Sequence, residues 1–229
     1  MGVSEGHREL TAEEFAELGK VHCDIWRNPG VVSQQRALVD GELARLRTGE
    51  SLPVFNVLQG LVAKIKPAPE SILEVGAASG YYHEVLRLGG WRGRYLGLDY
   101  SEVLIECARR HHPDAEFAVA DATALGDVGM FDSVISGACV MHILRWRTAL
   151  SEMVRVSRGP VILHRTPIAH GGHTRYWVKQ AYGASCVEQH FGEAEFLDGL
   201  RTSGLLVVEA RDIGDAGMFM MRSYLCQKE

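Results

Sequence analysis

Three acids recur along the chain where apolar runs end: Glu74, Asp99 and Asp121. The first run, Ile72-Leu73-Glu74-Val75, passes straight into Gly76-Ala77-Ala78-Ser79-Gly80, and a helical pattern begins at Tyr81. Small residues at such a turn let a ligand lie against backbone amides at a helix N-terminus, where larger side chains would collide with it. The second run ends in Leu98-Asp99-Tyr100-Ser101, and an acid at that tip can accept hydrogen bonds from ribose hydroxyls. Val119-Ala120-Asp121-Ala122 puts another acid on the same edge, and Phe131-Asp132-Ser133-Val134-Ile135-Ser136-Gly137 closes a fourth run in small residues. Ligands of open α/β sheets lie outside the carboxyl ends of the strands, so four such tips in succession point to one binding crevice.

The elements that must hold these tips in line are short apolar strands alternating with helices. Strands are expected at 71–75, 95–99, 116–120, 131–136 and 160–164, with helices at 81–88, 102–111 and 144–157. That alternation predicts a mostly parallel sheet. A helix at 194–203 precedes two runs, 205–211 and 218–226, which flank Gly214-Asp215-Ala216-Gly217 and suit a hairpin. Upstream, Thr11 and Glu14 form a capping-box signature ahead of Phe15, Leu18 and Val21 at helical spacing. Asn28-Pro29-Gly30 breaks that helix. A second amphipathic run carries Leu38, Leu43 and Leu46 and ends at Gly49. A third starts at Pro53, and Lys66-Pro67-Ala68-Pro69 closes it. We therefore expect an N-terminal helical cap over 1–66 and a main domain over 67–229, with an insertion at about 166–192.

Hydrophobic residues make up 46% of the chain and charged residues 23%, a balance that supports a real core and argues against disorder. Net charge is -5, without a dense Lys/Arg run, which counts against a nucleic-acid partner and its need for phosphate neutralisation. The cysteines (Cys23, Cys107, Cys139, Cys186, Cys226) include no CxxC pair, so neither a zinc site nor a disulfide framework is suggested. Glu5, Glu9, Glu13 and Glu14 crowd the N-terminus, unlike a signal peptide. No apolar run approaches the ~20 residues that span a bilayer. A cytoplasmic protein without membrane contact is the expectation.

In order and spacing these motifs resemble those of the class I S-adenosylmethionine-dependent methyltransferases. ILEVGAASG looks like their first motif, YLGLDYS their second and VADATAL their acidic adenine-edge motif. FDSVISGACVMHI and ALSEMVRVSRGPVIL resemble the fourth strand, the next helix and the fifth strand of the group. The resemblance implies a Rossmann-like fold: a seven-stranded, mostly parallel sheet with a C-terminal antiparallel hairpin. It implies S-adenosylmethionine as cofactor and S-adenosylhomocysteine as product. Carried over by position, Glu74 orients the glycine loop, and Gly76, Ala78 and Gly80 supply its small residues. Asp99 takes the ribose, Tyr100 lies beside the adenine, Asp121 and Ala122 read the adenine amino edge, and Ser136 and Gly137 line the methionine floor. Family members usually have Gly where Ala78 stands.

Methyl transfer is an in-line displacement in which the cofactor carries the activated methyl and the protein supplies position and dryness. A hydroxyl or amine acceptor also benefits from a general base. His142, just past the fourth strand, is the candidate base. Acids that would hold a metal near that tip are replaced by Gly137-Ala138-Cys139, so a metal-free mechanism is favoured. Arg165 could clamp a carboxylate or phosphate on the acceptor, since its planar fork suits such groups. Tyr176, Tyr182 and His190 belong to an aromatic, histidine-rich lid, and Trp26 (near His22 and Arg27) is a possible pocket wall. His170 and His173 lack a third ligand at fixed spacing and do not make a metal site. The acceptor expected is a small molecule methylated at oxygen or nitrogen; its identity and the oligomeric state are not legible.

Two other function classes stay open at this point. A nicotinamide-dependent oxidoreductase would need G-x-G-x-x-G so that a pyrophosphate can approach, whereas this loop reads G-x-A-x-G followed by two tyrosines. A non-catalytic methyltransferase-like binding protein would predict a degraded loop. Methylation of nucleic acid is disfavoured by the acidic balance and by the absence of an Asn/Asp-Pro-Pro-aromatic tetrad.

Overall fold

The computed structural model describes residues 8–229, and of residues 20–23 it describes the backbone alone. Glu5 and the side chains of Val21, His22 and Cys23 lie outside the described residues. A short strand, β1 (Arg8–Leu10), leads into α1 (Ala12–His22). The capping box forms reciprocally: the Glu14 amide donates to Thr11 Oγ1 at 3.1 Å, and the Thr11 amide donates to the Glu14 carboxylate at 2.8 Å. After a 3-10 turn (Cys23–Arg27), Asn28 caps α2 (Pro29–Arg47) by accepting the Gly30 amide at 2.8 Å. Asn28-Pro29-Gly30 therefore ends one helix by starting the next, with proline in the first turn where its missing N–H is not needed. The buried stripe of α2 is Val31, Val32, Gln35, Arg36, Val39 and Leu43. Leu38 is 63% exposed, a correction to the expected stripe: it is not three or four residues from Leu43 and so faces elsewhere. The third helix, α3 (Pro53–Lys64), also starts on proline.

The main sheet is built from β2 (Ser71–Val75), β3 (Arg94–Asp99), β4 (Glu116–Val119), β5 (Ser133–Gly137) and β6 (Val161–Ala169), all parallel. Helices α4 (Tyr81–Leu88), α5 (Glu102–His111) and α6 (Trp146–Arg155) provide crossovers, and a second 3-10 turn (Val140–His142) follows β5. An antiparallel hairpin, β7 (Arg175–Ala181) and β8 (Ala184–His190), leads to α7 (Glu193–Thr202). The chain ends with β9 (Leu205–Asp215) and β10 (Phe219–Lys228). Sheet order is β4-β3-β2-β5-β6-β10-β9, with β10 antiparallel to both neighbours. This is the expected seven-stranded, Rossmann-like arrangement. Strand order reverses between β2 and β5, so the crevice of the sheet opens at their carboxyl ends.

Two elements run longer than their apolar cores. β6 continues through Arg165 to Ala169, where a loop was expected, because β10 pairs with it as far as Phe219 opposite Ala169. β9 likewise extends to Asp215, which shortens the turn before β10. The insertion is a hairpin around Tyr182-Gly183, with φ of 53° and 77° at the two turn residues. Positive φ at both positions matches the right-handed twist of the strands. Along its outer edge β1 pairs with β7, so the start of the chain and the insertion form a separate three-stranded antiparallel sheet. Arg175 seals that edge with two bonds to Glu9, at 2.6 and 2.7 Å. The hairpin is joined to the main body where the Gln189 amide donates to the Ile143 carbonyl at 3.0 Å, and where Phe191 bridges Ile168.

Both faces of the main sheet are covered. On one, Phe55, Leu58 and Leu61 of α3 pack with Ile72, Tyr82, Val85 and Ile135. On the other, Trp146, Phe191, Phe196 and Tyr224 surround Val134 and Leu163. Among the described residues no helix is long and apolar enough to cross a membrane. Phe191 is fully buried, with ring centroids 5.0 Å from Trp146 and 4.8 Å from Phe196. Phe191→Ala should cost about 3–5 kcal/mol in denaturant unfolding. Arg175→Gln, at an exposed ion pair, should cost less than about 1 kcal/mol.

Candidate active site

A cavity of about 540 Å³ opens at the carboxyl ends of β2, β3 and β5 and extends under the hairpin. Gly76, Ala78, Asp99, Tyr100, Asp121, Ala122 and Gly137 line it at the sheet. Trp26, His142, Arg165 and Tyr182 line it on the other side. Among the described residues, the non-glycine residues with left-handed φ are Ala78, Ala138, Arg165 and Tyr182, and all of them border this cavity. Sterically costly backbone held at one place is typical of sites where geometry serves a ligand.

The loop after β2 is shaped residue by residue. The Gly76 and Ala77 amides both donate to the Leu98 carbonyl at 2.8 Å, curling the chain over the tip of β3. Gly76 has φ 79°, and a Cβ there would lie 2.3 Å from Cys139 Sγ. Ala78, at φ 48°, donates its amide to Asp99 Oδ2 at 2.9 Å. The other oxygen of Asp99 accepts the Ser101 amide at 3.0 Å. A carboxylate has about four acceptor sites, so Asp99 keeps capacity for ligand hydroxyls while tying the loop to the start of α5. Burial raises its pKa to about 6, against the pull of its amide donors. Asp121 is exposed and accepts the Thr123 amide at 2.7 Å and its hydroxyl at 2.8 Å, which sets the turn beside Ala122. Arg27 lies over the Tyr100 ring at 5.3 Å.

Glu74, Gly80 and Ser136 do not line the cavity. Gly80 starts α4 at φ 78°, where a Cβ would lie 2.6 Å from the Phe117 ring; its smallness serves packing. The Ser136 hydroxyl donates to the Val75 carbonyl at 2.9 Å and locks β5 to β2. Glu74 is buried, and one of its oxygens accepts the Tyr95 hydroxyl while the other has no partner within the protein. Burial pushes its pKa up to about 8; the Tyr95 bond opposes this and the nearby Asp99 adds to it. The acid of the first motif is thus a protonated strut at neutral pH.

At the far side, His142 Nδ1 lies 2.9 Å from the Val187 carbonyl. A carbonyl only accepts, so Nδ1 carries the proton and Nε2 of the neutral ring keeps its lone pair. Burial lowers the pKa, and Glu188 partly offsets that. The Trp26 ring packs on His142 at 5.6 Å and on Tyr182 at 5.7 Å. Tyr176 and His190 lie away from the cavity. Strand alternation turns Tyr176 to the opposite face of β7 from Lys179 and Ala181, where it stacks on Phe15 at 4.7 Å. His190 is buried against Phe219, with Nε2 2.8 Å from Glu188.

Lys179, Cys186 and Gln35 also border the cavity, and sequence reasoning missed all three. The ammonium of Lys179 pairs with buried Glu188. Burial alone would push the Glu188 carboxyl up, but the His190 bond and the Lys179 charge outweigh it and hold it below the usual carboxylate range. The discoverable signal was the Tyr182-Gly183 turn: it sets Lys179 opposite Cys186 and one diagonal from Glu188. Gln35 Oε1 is buried without a partner.

Glu74 makes stability depend on pH. Its folded pKa stands above the unfolded value, so the native state holds more protons as pH climbs between them. Stability should fall from about pH 4.5 to about pH 8 and then level off, with a slope up to about 1.4 kcal/mol per pH unit from this group. Glu74→Gln should flatten that slope in thermal melts across the range; an unchanged slope would place its origin elsewhere.

Residues 73–162 match the family model described as "Methyltransferase domain". Comparison with proteins of curated function found no match. Among solved structures, the chain is similar to the PH0226 protein of Pyrococcus horikoshii OT3, with a TM-score of 0.62 at 17% identity over 77% of this chain and 89% of that one. It is similar to CalS10 of Micromonospora echinaspora, an amino pentose methyltransferase solved with S-adenosylmethionine, with a TM-score of 0.58 at 14% identity over 82% and 96%. It is also similar to the magnesium protoporphyrin IX methyltransferase of Synechocystis PCC 6803, with a TM-score of 0.54 at 17% identity over 77% and 78%. These findings favour the methyltransferase reading over the nicotinamide one. The match to the methyltransferase-domain model covers residues 73–162, and the chain has the Rossmann-like fold of the methyltransferases it is similar to.

Proposed function

We propose that this chain methylates a small-molecule acceptor at oxygen or nitrogen, by in-line transfer from S-adenosylmethionine and without a metal. One observation carries the reading: a single cavity joins the strand tips of Gly76, Asp99 and Asp121 to a wall holding His142, Trp26 and Tyr182. The residues at the tips fit the cofactor. Gly76, Ala78 and Gly137 keep the strand tips free of bulky side chains, Asp99 has acceptor capacity for ribose, and Asp121, Ala122 and Tyr100 line the cavity where the adenine would lie. When bound, S-adenosylmethionine supplies a methyl activated on sulfonium.

The rest falls to the protein. His142 accepts the acceptor's proton at Nε2, its tautomer set by the Val187 carbonyl. Trp26, Tyr182 and Arg165 hold the acceptor and exclude water, whereas Tyr176 and His190 brace the hairpin behind it. Residues 1–66 act as a cap on the 67–229 domain, and the 166–192 insertion walls the acceptor side. Two of the similar structures are an amino pentose methyltransferase and a magnesium protoporphyrin IX methyltransferase, which supports a small acceptor.

Calorimetric titration with S-adenosylhomocysteine, with NAD and NADP as controls, tests the cofactor. Micromolar binding of the homocysteine compound alone is expected, and silence would sink the proposal. Asp99→Ala should weaken that binding by roughly tenfold or more, as a buried hydroxyl pair loses its acceptor. His142→Ala should leave it within about twofold yet lower turnover on the true acceptor by about 10²–10⁴. Wild-type turnover would remove His142 from the chemistry.

A further inference from the structure

Among the described residues, Arg165 forms no ion pair with any carboxylate, although it faces the interior of the cavity. Its surroundings are phenolic: Tyr82, Tyr81 and Tyr182 lie close to the guanidinium. Arginine cannot discard its proton to escape burial. Arg165 is half-buried, and a charge drawn part-way out of water without a counter-ion is unfavourable unless something compensates. Arg165 is, besides, held at φ 58°, a backbone region that side chains seldom occupy. Of the other cations that line the cavity, Lys179 is neutralised by Glu188, Arg27 lies beside Asp24 and Arg145 is exposed to solvent, and His142 is neutral.

From this charge balance we infer that Arg165 is a carboxylate site, and that the methyl acceptor is an aromatic or similarly flat acid whose carboxylate it clamps. A single uncompensated cation matches one monoanion. A phosphate dianion would call for a second cation beside it, and Lys179 is already taken by Glu188. Tyr182 connects the site to the acceptor side: its ring packs on Trp26, which packs on His142. A planar acid seated between these rings would present its hydroxyl or amine toward His142 while its carboxylate meets Arg165. The inference rests on the proposed small-molecule reading, and it adds the acceptor's charge.

The test compares wild type with Arg165→Gln and Arg165→Lys. Benzoate, 4-hydroxybenzoate and anthranilate, each against its neutral amide, are titrated in the presence of saturating S-adenosylhomocysteine. S-adenosylhomocysteine and 5′-methylthioadenosine are titrated separately. We expect at least one acid to bind wild type tenfold or more tightly than its amide, and Arg165→Gln to erase that preference. Arg165→Lys should keep part of it. Affinity for the two adenosine compounds should stay unchanged. The ligand-free Arg165→Gln protein should melt at the same or a higher temperature, since it loses an uncompensated charge, whereas a merely structural arginine would leave a less stable variant. Acids that bind no better than amides would overturn the inference. So would a preference that survives in Arg165→Gln, or a loss confined to S-adenosylhomocysteine over methylthioadenosine, which would assign Arg165 to the cofactor's own carboxylate. Failure of wild type to bind S-adenosylhomocysteine at all would instead refute the methyltransferase reading itself.

Discussion

A buried carboxylate shared between two backbone amides organises the cavity. Asp99 accepts from Ala78 on the loop after β2 and from Ser101 at the start of α5, so two crossovers of the sheet meet on one side chain. Ala78 can hold its left-handed conformation because that bond rewards it, and Gly76 can sit against Cys139 because the loop is drawn down over β3. A carboxylate in this position is costly to ionise, and its amide donors are what moderate the cost. Behind it, Glu74 takes the opposite solution: protonated, turned to Tyr95, it lends the strand tip a fixed shape without adding a second charge beside Asp99.

The N-terminal helices are fastened to this same centre. The Ser101 hydroxyl donates to the Trp26 carbonyl at 2.6 Å, which places the Trp26 ring at the cavity mouth. On α2, Arg36 is buried, bonds Asp40 at 2.6 and 2.9 Å, and reaches the Ser79 carbonyl at 3.3 Å and His112 at 3.1 Å. Cap and loop therefore share donors and acceptors across the boundary at which composition changes. On the opposite side, His142 and Gln189 stitch the second 3-10 turn to the hairpin, so the wall that faces an acceptor is positioned by the strand tip that faces the cofactor.

What the sequence disclosed follows from the range of the forces involved. The strand tips and the loop were legible because each is a local pattern: an apolar run, small residues, an acid and a helix start. The capping box at Thr11 was legible for the same reason. The strand ends of β6 and β9 were harder, since pairing with β10 rather than hydrophobicity decides where those strands stop. The acceptor wall was the least legible. Lys179, Glu188 and Cys186 come together only through hairpin register, and β1 is three residues of mixed polarity that are strand solely because β7 offers them an edge. Tyr176 and His190 were grouped with the lid for being aromatic or titratable, but alternation along the strands and burial send them behind it.

The pairing of β1 with β7 also bears on how the molecule assembles. Glu9 and Arg175 are 166 residues apart in the chain, whereas the parallel strands β2 to β5 join through short crossovers. Contacts closed over so long a span form late, because their loop entropy must be met before they return any stabilisation. Such a sheet, with an edge sealed by an exposed ion pair, should also be among the first parts to open under native conditions. Amide exchange should accordingly separate the two halves of the cavity. The strand tips should belong to the slowest-exchanging body of the protein and the wall opposite them to a faster one, so that a molecule too large for the closed cavity would enter through that motion.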